Sequence, residues 1–118
     1  MSYRQTTINP LDQEINCIYN QALRYEWDED KRAANLAKHG VDFSRAELFD
    51  WQTALEAPDT RNDYGEERWI ALGLIGNRLH VLIYTRRRGA IRIISLRRAN
   101  QREGYHYEKN QTQAHIPG

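Results

Sequence analysis

The sequence has little of the chemistry that would tie it to an oxidising compartment, a metal or a membrane. Its 118 residues include a single cysteine, Cys17, so no internal disulfide can form, and no Cys or Cys/His pair has the spacing of a structural zinc site. The N-terminus lacks the charged and apolar regions of a secretory signal, and no apolar run approaches membrane-spanning length. We therefore predict a cytoplasmic protein with no membrane contact, no metal and no other cofactor.

Charge is distributed unevenly along the chain. The formal net charge is only +1, but residues 26–67 hold twelve acidic side chains against five basic ones, and residues 86–109 hold eight basic against two acidic. The segment from Tyr84 to Arg102 contains seven arginines and no Asp or Glu. A guanidinium group stays charged at any working pH and binds phosphate oxygens two at a time. This pattern favours a phosphate-bearing ligand, with nucleic acid as the first candidate.

The length fits one domain with its own core. Residues 1–23 are polar and include Pro10, and we predict an appendage that is flexible or forms a short helix on Leu11, Ile15 and Ile18. The domain proper is predicted over residues 24–110, and residues 111–118 are predicted to form a flexible tail.

Local signals in the first half of the domain predict helices. A brief strand from Arg24 to Trp27 leads to a helix that Asp28 caps and Gly40 ends. The alanine-rich face of this helix, which includes Leu36, is predicted to dock on a sheet, while its other face carries Lys31, Asn35, Lys38 and His39. A second helix is predicted from an N-cap at Ser44 toward Trp51, with Phe43 as a staple-like contact.

The second half predicts strands. Three of them, over about residues 67–74, 78–85 and 90–96, are separated by the tight turns Gly76-Asn77 and Arg88-Gly89 and predict an antiparallel meander. A last helix is predicted from about Ala99, weakened by Gly104. The fold class is therefore α+β, with two N-terminal helices packed on an antiparallel sheet of the meander and the short first strand, followed by a C-terminal helix.

Two longer motifs stand out, WD..K...N..KHGV from Trp27 to Val41 and RIIS.RRA from Arg92 to Ala99. Together with Phe43, Glu67-Arg68, Gly73, Glu103 and Tyr107, they resemble the BrnT toxin family over about residues 25–108. The chain departs from the family pattern in residues 1–23, which have no place in the family domain, and at Gly104, where a helix former is usual.

The resemblance implies a RelE-like fold and a ribonuclease toxin of a type II toxin-antitoxin system that inhibits translation by cleaving RNA. It implies a BrnA-like antitoxin with a ribbon-helix-helix domain, in a heterotetramer of two toxins and two antitoxins. It also implies that the complex represses its own operon, with operator DNA contacted indirectly, through the antitoxin. The alternative is a non-catalytic basic module that binds an acidic protein partner, because carboxylates and phosphates offer a guanidinium similar oxygens.

Metal-independent RNA cleavage by attack of a 2′-hydroxyl needs proton transfer and neutralisation of charge on the phosphate. His39 is the candidate for proton transfer because imidazole titrates near neutrality; alternatively it only bonds carbonyls at a helix end. Arg97 and Arg98 lie where a strand leads into a helix, with side chains on opposite faces. One of them is predicted to bind phosphate, and the alternative is structural pairing with Glu26, Glu67 or Glu103.

The remaining candidates are aromatic or basic. Tyr107 completes the predicted catalytic group, and the predicted RNA or phosphate contacts are Lys31, Lys38, Tyr84, Arg86, Arg92 and Arg102. The two tyrosines can stack on a base or assist proton transfer, or they can pack in the core with a hydrogen-bonded hydroxyl. Arg92 shares parity with Ile94 and Leu96 and fits an ion pair as well as it fits substrate. His80 is predicted to be a structural histidine of the sheet.

Overall fold

The computed structural model of the chain describes residues 4–5, 23–61 and 63–115, so the short helix predicted around Leu11, Ile15 and Ile18 lies outside the described residues. The fold class is α+β, as predicted. The elements are β1 (Arg4–Gln5), β2 (Arg24–Glu26), α1 (Glu29–His39), a 3-10 helix (Phe43–Leu48), β3 (Leu55–Pro58), β4 (Trp69–Ile75), β5 (Arg78–Arg87), β6 (Ala90–Arg98) and α2 (Gln101–His115).

The strands form one sheet in the order β1-β3-β4-β5-β6-β2. The meander β4-β5-β6 is antiparallel, as predicted, and β3, which the sequence did not reveal, extends it antiparallel to β4. The predicted short first strand is present as β2, but it pairs with β6 in parallel, with Tyr25 opposite Ile91. The prediction of a purely antiparallel sheet is therefore wrong at this edge.

Both predicted hairpin turns are present. Gly76 has φ 65°, and in the β5–β6 turn Arg88 has φ 50° and Gly89 φ 78°. Positive φ at both central residues is the geometry of a type I′ turn, whose twist matches that of the flanking strands. Arg88 adopts a backbone conformation that non-glycine residues rarely occupy, and the turn imposes it.

Each face of the sheet carries its own cluster. The front face is covered by the 3-10 helix and its flanks, and its buried residues include Phe43, Ala46, Phe49, Leu82, Tyr84, Ile93 and Leu96. The back face carries α2, whose Tyr107 packs with Leu55, Ile70, Leu72 and Val81. Because side chains alternate between the two faces along a strand, each strand residue can be assigned to the front or the back face.

The first helix has the predicted caps but docks through a different face. The Asp28 carboxylate accepts a hydrogen bond from Asp30 N–H at 3.0 Å, and Gly40 ends the helix with φ 73°. The residue that it buries is Asn35, whereas Leu36 is 40% exposed and its alanine neighbours are exposed too. The prediction that the alanine-rich face docks on the sheet is therefore wrong.

Asn35 docks the helix on the open edge of β6, beyond the last residue that pairs with β2. Its Nδ2 donates to the carbonyl of Leu96 at 2.7 Å and to that of Val41 at 3.0 Å, and its Oδ1 accepts from Leu96 N–H at 3.2 Å. A buried polar group of this kind is stable only because its hydrogen-bonding capacity is satisfied. A polar side chain thus does what apolar packing was predicted to do.

The predicted second helix is a 3-10 helix with a different cap. Asp42, two residues before the predicted Ser44, accepts from Ser44 N–H at 2.9 Å, and the element ends at Leu48 because Phe49 is extended. Phe43 is fully buried. Extension at Phe49 lets this residue bridge to Ile75 and cover the sheet, which a continued helix toward Trp51 would prevent.

A β-bulge in β6 changes the parity predicted from the sequence. Ser95 pairs with Ile83 and Ile93 pairs with Tyr84, so Ile94 is the additional residue. Ile93 and Leu96 consequently both face the front cluster, although their numbers differ in parity. The predicted shared parity of Arg92 with Leu96 is therefore broken by the bulge.

The C-terminal helix starts two residues later than predicted and continues through Gly104. Asn100 and Glu103 cap it reciprocally: Glu103 N–H donates to Asn100 Oδ1 at 2.8 Å, and Asn100 N–H donates to Glu103 Oε1 at 2.9 Å. This capping box satisfies two backbone donors at the start of the helix. Among the described residues, no helix has the length and apolar character needed to cross a membrane.

Asn35→Ala is expected to lower the free energy of unfolding by about 3 kcal/mol, because the substitution leaves Leu96 N–H and two carbonyls without their partner. Leu36→Ala, the matched control, is expected to cost less than about 1 kcal/mol because the side chain is largely at the surface. Urea denaturation of both variants measures the difference. A larger loss for Leu36→Ala than for Asn35→Ala would contradict the observed docking of α1.

Gly73→Ala is expected to destabilise by about 1–3 kcal/mol, because overpacking forces neighbours to shift. A Cβ at this position would lie 2.3 Å from Cζ of the Phe49 ring. The same change should cost less in a Phe49→Ala background, since the two residues are in contact. Gly104→Ala is the control: a Cβ there meets open space and should stabilise α2 by up to about 1 kcal/mol. Equal costs of Gly73→Ala in both backgrounds would refute the contact.

Candidate functional site

The β5–β6 hairpin separates the arginines of the segment from Tyr84 to Arg102 into two groups. Near the tip, three of them lie close to carboxylates: Arg86 with Glu56 at 3.9 Å, Arg87 with Glu66 at 3.4 Å and Arg92 with Glu26 at 3.5 Å. The predicted ion-pair alternative for Arg92 is therefore what the structure contains. These carboxylates offset the positive charge of the tip. The strongest candidates for binding an anion therefore lie at the other end of the sheet.

At that other end, Arg97 forms a bidentate salt bridge with Glu103. Its Nη1 and Nη2 donate to the two carboxylate oxygens of Glu103 at 2.9 and 2.7 Å. The same carboxylate caps α2. Burial raises the pKa of Glu103, but the hydrogen bonds from Arg97 and from Asn100 N–H outweigh it, and the net pKa is below the ordinary value. The structural pairing that was the alternative for Arg97 is thus present.

Arg98 has a different environment because the strand persists through both arginines. It lies opposite His80 on the front face, whereas Arg97 lies opposite Val81 of the back cluster. The Arg98 side chain is exposed, and within the described part of the chain no carboxylate lies at salt-bridge distance from it. Of the adjacent pair, Arg98 is the one whose guanidinium is available to an incoming anion.

His39 is the last residue of α1 and lies near Arg97. The pKa of His39 is below its ordinary value, first because the ring is partly buried and then because Lys38 and Arg97 repel a proton on it. The structure therefore brings together two of the predicted catalytic residues from opposite ends of the domain. A histidine held neutral near physiological pH can accept a proton from a substrate.

The lysines of α1 and the first arginine of α2 are surface residues. Lys31, Lys38 and Arg102 are all exposed. Lys38 adjoins His39 at the C-terminal end of α1, and Arg102 lies in the first turn of α2. Lys31 lies near the other end of α1. All three are accessible to an anion, but only Lys38 affects the pKa of His39.

The two tyrosines occupy core positions. Tyr84 is fully buried on the front face, its hydroxyl donates to Glu56 Oε1, and burial together with the Glu56 charge raises the pKa of its hydroxyl. Tyr107 is 8% exposed, and its hydroxyl donates to Thr53, at 3.1 Å from the carbonyl and 3.2 Å from Oγ1. Both residues therefore have the core position with a hydrogen-bonded hydroxyl that was the predicted alternative, and neither ring is exposed for stacking on a nucleobase.

Two basic residues of this end were missed from the sequence. Arg45 of the 3-10 helix and Arg78 at the start of β5 both lie near enough to His80 to lower its pKa, together with Arg98. They are far apart in sequence and belong to no motif. Strand alternation would have suggested Arg78, since the residue two before His80 on the same strand lies on the same face. No local signal indicates Arg45.

Among the described residues, no group of three or more His, Cys, Asp or Glu side chains is arranged to hold a metal ion. The potential ligands for an anion are instead guanidinium, ammonium and imidazole groups, gathered where β6 leads into α2. We call this surface, defined by Lys38, His39, Arg97 and Arg98, the basic end of the sheet.

Comparison with known protein families identifies a match over most of the chain. Residues 27–103 match the family model described as the ribonuclease toxin, BrnT, of type II toxin-antitoxin systems. The match includes α1, the meander and the capping residue Glu103. No curated protein sequence matches the chain.

Lys38→Gln is expected to raise the pKa of His39, because the substitution removes one of the positive charges that repel its proton. Lys31→Gln removes the same charge from the other end of the helix and should leave the pKa of His39 unchanged. The pH titration of the imidazole proton resonances by NMR measures both. An unchanged titration of His39 in Lys38→Gln would show that the field at this ring has another source.

Proposed function

Because the chain belongs to the BrnT family of ribonuclease toxins of type II toxin-antitoxin systems, we propose that it cleaves RNA at the basic end of its sheet. The observation that carries this location is the juxtaposition of His39 with Arg97, beside the exposed Arg98. A group for proton transfer and groups for charge neutralisation are the minimum that phosphodiester cleavage requires.

The proposed reaction is an endonucleolytic transfer that uses no metal. The 2′-hydroxyl loses its proton to a base and forms a bond to the adjacent phosphorus, while the bond from phosphorus to the 5′-oxygen breaks and that oxygen takes a proton from an acid or from water. The products are a 2′,3′-cyclic phosphate and a 5′-hydroxyl. His39 takes part in proton transfer, and Arg98 stabilises the charge that builds up on the phosphate oxygens.

Arg97 contributes differently from Arg98 in this proposal. While it is bound to Glu103, its positive charge still acts on the site, but its donors are engaged. Binding a phosphate directly would require it to leave Glu103, which also caps α2. We therefore assign Arg97 an electrostatic and positioning role.

Other basic residues extend the RNA surface. Lys38 and Arg102 flank the basic end and are proposed to contact neighbouring phosphates, which position the strand without reading its sequence. Lys31, Arg86 and Arg92 lie farther away, and the two arginines are close to carboxylates. Their proposed contribution is to attract RNA by long-range charge.

Membership of a type II system implies an antitoxin partner. We propose that this partner is a BrnA-like ribbon-helix-helix protein, that two toxins and two antitoxins form the complex, and that the complex represses its own operon in the cytoplasm through the antitoxin's contact with operator DNA. The domain of residues 24–110 is proposed to have a RelE-like arrangement. Antitoxin binding would inhibit the toxin by covering the surface that contacts RNA.

Purified antitoxin-free protein is expected to cleave RNA in the presence of EDTA, leaving 2′,3′-cyclic phosphate ends. His39→Gln should reduce the cleavage rate by about 10²–10⁴-fold, the range for loss of a group that transfers protons. Arg98→Ala should also reduce it, and both variants should lose toxicity when expressed in cells. Arg24→Ala, an exposed arginine beside the hairpin tip, is the control for loss of charge and should cleave normally.

The outcomes separate activity from location. Intact RNA at high protein excess, beside an active control nuclease, would count against metal-independent cleavage; antitoxin binding with no effect on RNA or translation would favour the non-catalytic module. Full activity in both His39→Gln and Arg98→Ala would move the site elsewhere. Arg97→Ala is a poorer test, because it also removes a partner of the α2 cap.

A further inference from the structure

His80 lies on the front face of the sheet among three arginines from separate elements. Arg98 is its direct cross-strand neighbour on β6, and Arg78 precedes it by two residues on β5. Arg45 lies on the 3-10 helix that covers this face, near enough for its charge to act on the His80 ring. All three arginines are exposed, and in the described part of the chain none has a carboxylate at salt-bridge distance. Positive charge therefore converges on His80 without an internal counter-ion.

The surroundings of His80 hold its ring in place. His80 is 5% exposed, and its neighbour across the β4–β5 ladder is Gly73. Because Gly73 has no side chain, the Phe49 ring lies directly over the backbone there, where a Cβ would be 2.3 Å from Cζ. The Phe49 ring thus lies over Gly73, the cross-strand neighbour of His80, and limits the space for other side chains there.

The hydrogen bond of His80 fixes its tautomer. Nδ1 lies 2.9 Å from the carbonyl oxygen of Arg78, and since a carbonyl can only accept, Nδ1 carries the proton. Nε2 of the neutral ring is then an acceptor. No buried side-chain nitrogen or oxygen among the described residues lacks a partner, and Nε2 makes no hydrogen bond there. Nε2 therefore keeps some contact with solvent, although the residue as a whole is almost fully buried.

The charge state follows from the same neighbours. Burial lowers the pKa of His80 most; the hydrogen bond to the Arg78 carbonyl opposes this, and the charges of Arg98, Arg45 and Arg78 lower it further. The ring is consequently neutral at physiological pH. Its Nε2 lone pair is available as an acceptor, and the charges that act on the ring most strongly among the described residues are those of the three arginines.

We propose that Arg45, Arg78, Arg98 and His80 form a ribose-phosphate site, in which the guanidinium groups bind the oxygens of one phosphate and Nε2 accepts a hydrogen bond from the adjacent 2′-hydroxyl. A phosphodiester group alone would satisfy the arginines but carries no hydroxyl that could donate to Nε2. The 2′-hydroxyl is the donor that distinguishes RNA from DNA. The site therefore selects a ribonucleotide.

This inference rests on the proposed function, because RNA is the natural source of such a group, and it extends that function by naming what recognises the ribose. The 2′-hydroxyl is also the nucleophile of the proposed reaction. In the bound ground state, a hydrogen bond from this hydroxyl to Nε2 would hold the oxygen beside the phosphorus that it attacks, before proton transfer begins. Discrimination against DNA and orientation of the nucleophile would thus come from one contact.

The test uses adenosine 3′-monophosphate, which carries a 2′-hydroxyl beside a phosphate but has no bond to cleave. Titrated into the full chain and followed by NMR, it should shift the His80 ring resonances. The 2′-deoxy analogue should bind roughly three- to tenfold more weakly, as expected for the loss of one hydrogen bond. Inorganic phosphate should also bind more weakly than the ribonucleotide, because it offers no ribose.

Variants distinguish the contribution of the arginine charge to phosphate binding from the contribution of His80 Nε2 to ribose recognition. Arg98→Ala should weaken binding of the ribo- and deoxyribonucleotide alike, roughly tenfold or more for loss of a charged hydrogen bond, whereas Arg24→Ala should leave both unchanged. His80→Phe should abolish the preference for ribose while retaining most of the phosphate affinity. If His80→Phe does not fold, the wild-type comparison of ribose with deoxyribose decides the same point.

Several results would overturn the proposal. His80 resonances that do not move while those of His39 do would place the nucleotide elsewhere, and equal affinity for ribose and deoxyribose would remove the role of Nε2. Phosphate binding as tightly as the nucleotide would make the site one for free phosphate. Nucleotide binding at His80 without RNA cleavage would support this site and reject the proposed activity. Full cleavage by Arg45→Ala, Arg78→Ala and Arg98→Ala would support the activity and reject this site.

Discussion

The side-chain amide of Asn35 stands in for a strand backbone along the edge of β6. It donates to the backbone carbonyl of Leu96 and accepts from the backbone N–H of the same residue, as a neighbouring strand would. With Val41 it also fixes the chain that leaves α1. Because β2 ends beside Arg92, the rest of this edge would otherwise be open. The position of α1, and hence of His39 relative to Arg97, depends on this one amide.

The end of β6 shows how two identical residues acquire different properties. The bulge at Ile94 sets which face each following side chain takes. Arg97 turns toward α2 and is held by Glu103, while Arg98 turns toward the 3-10 helix and has no carboxylate among the described residues. One arginine joins the sheet to the helix, and the guanidinium of the other makes no hydrogen bond to the residues that the structure describes. A fixed positive field and an exposed guanidinium therefore lie side by side, as the proposed phosphate site requires.

Features set by a few neighbouring residues could be predicted from the sequence: the caps of α1 at Asp28 and Gly40, the two hairpin turns and the brief strand at Arg24. The docking face of α1 could not, because a helical wheel assigns burial by hydrophobicity and Asn35 is buried for its hydrogen bonds. Strand β3 is four residues long and ends in Pro58, so its pattern is too short to recognise. In the site, His39 and the two arginines were predicted from motif and chemistry. Arg45 and Arg78 were missed because only the tertiary fold brings them to His80.

The parallel pairing of β2 with β6 has a consequence for the order in which the protein can form. The first strand of the domain has no partner until residues 90–92 have been synthesised, and Asn35 waits for Leu96, 61 residues later. Contacts this distant in sequence form late and slowly, since the intervening loop must close first. His39 and Arg97 therefore meet only when nearly the whole domain has left the ribosome. A nascent chain that has not yet reached residue 97 therefore lacks the proposed site.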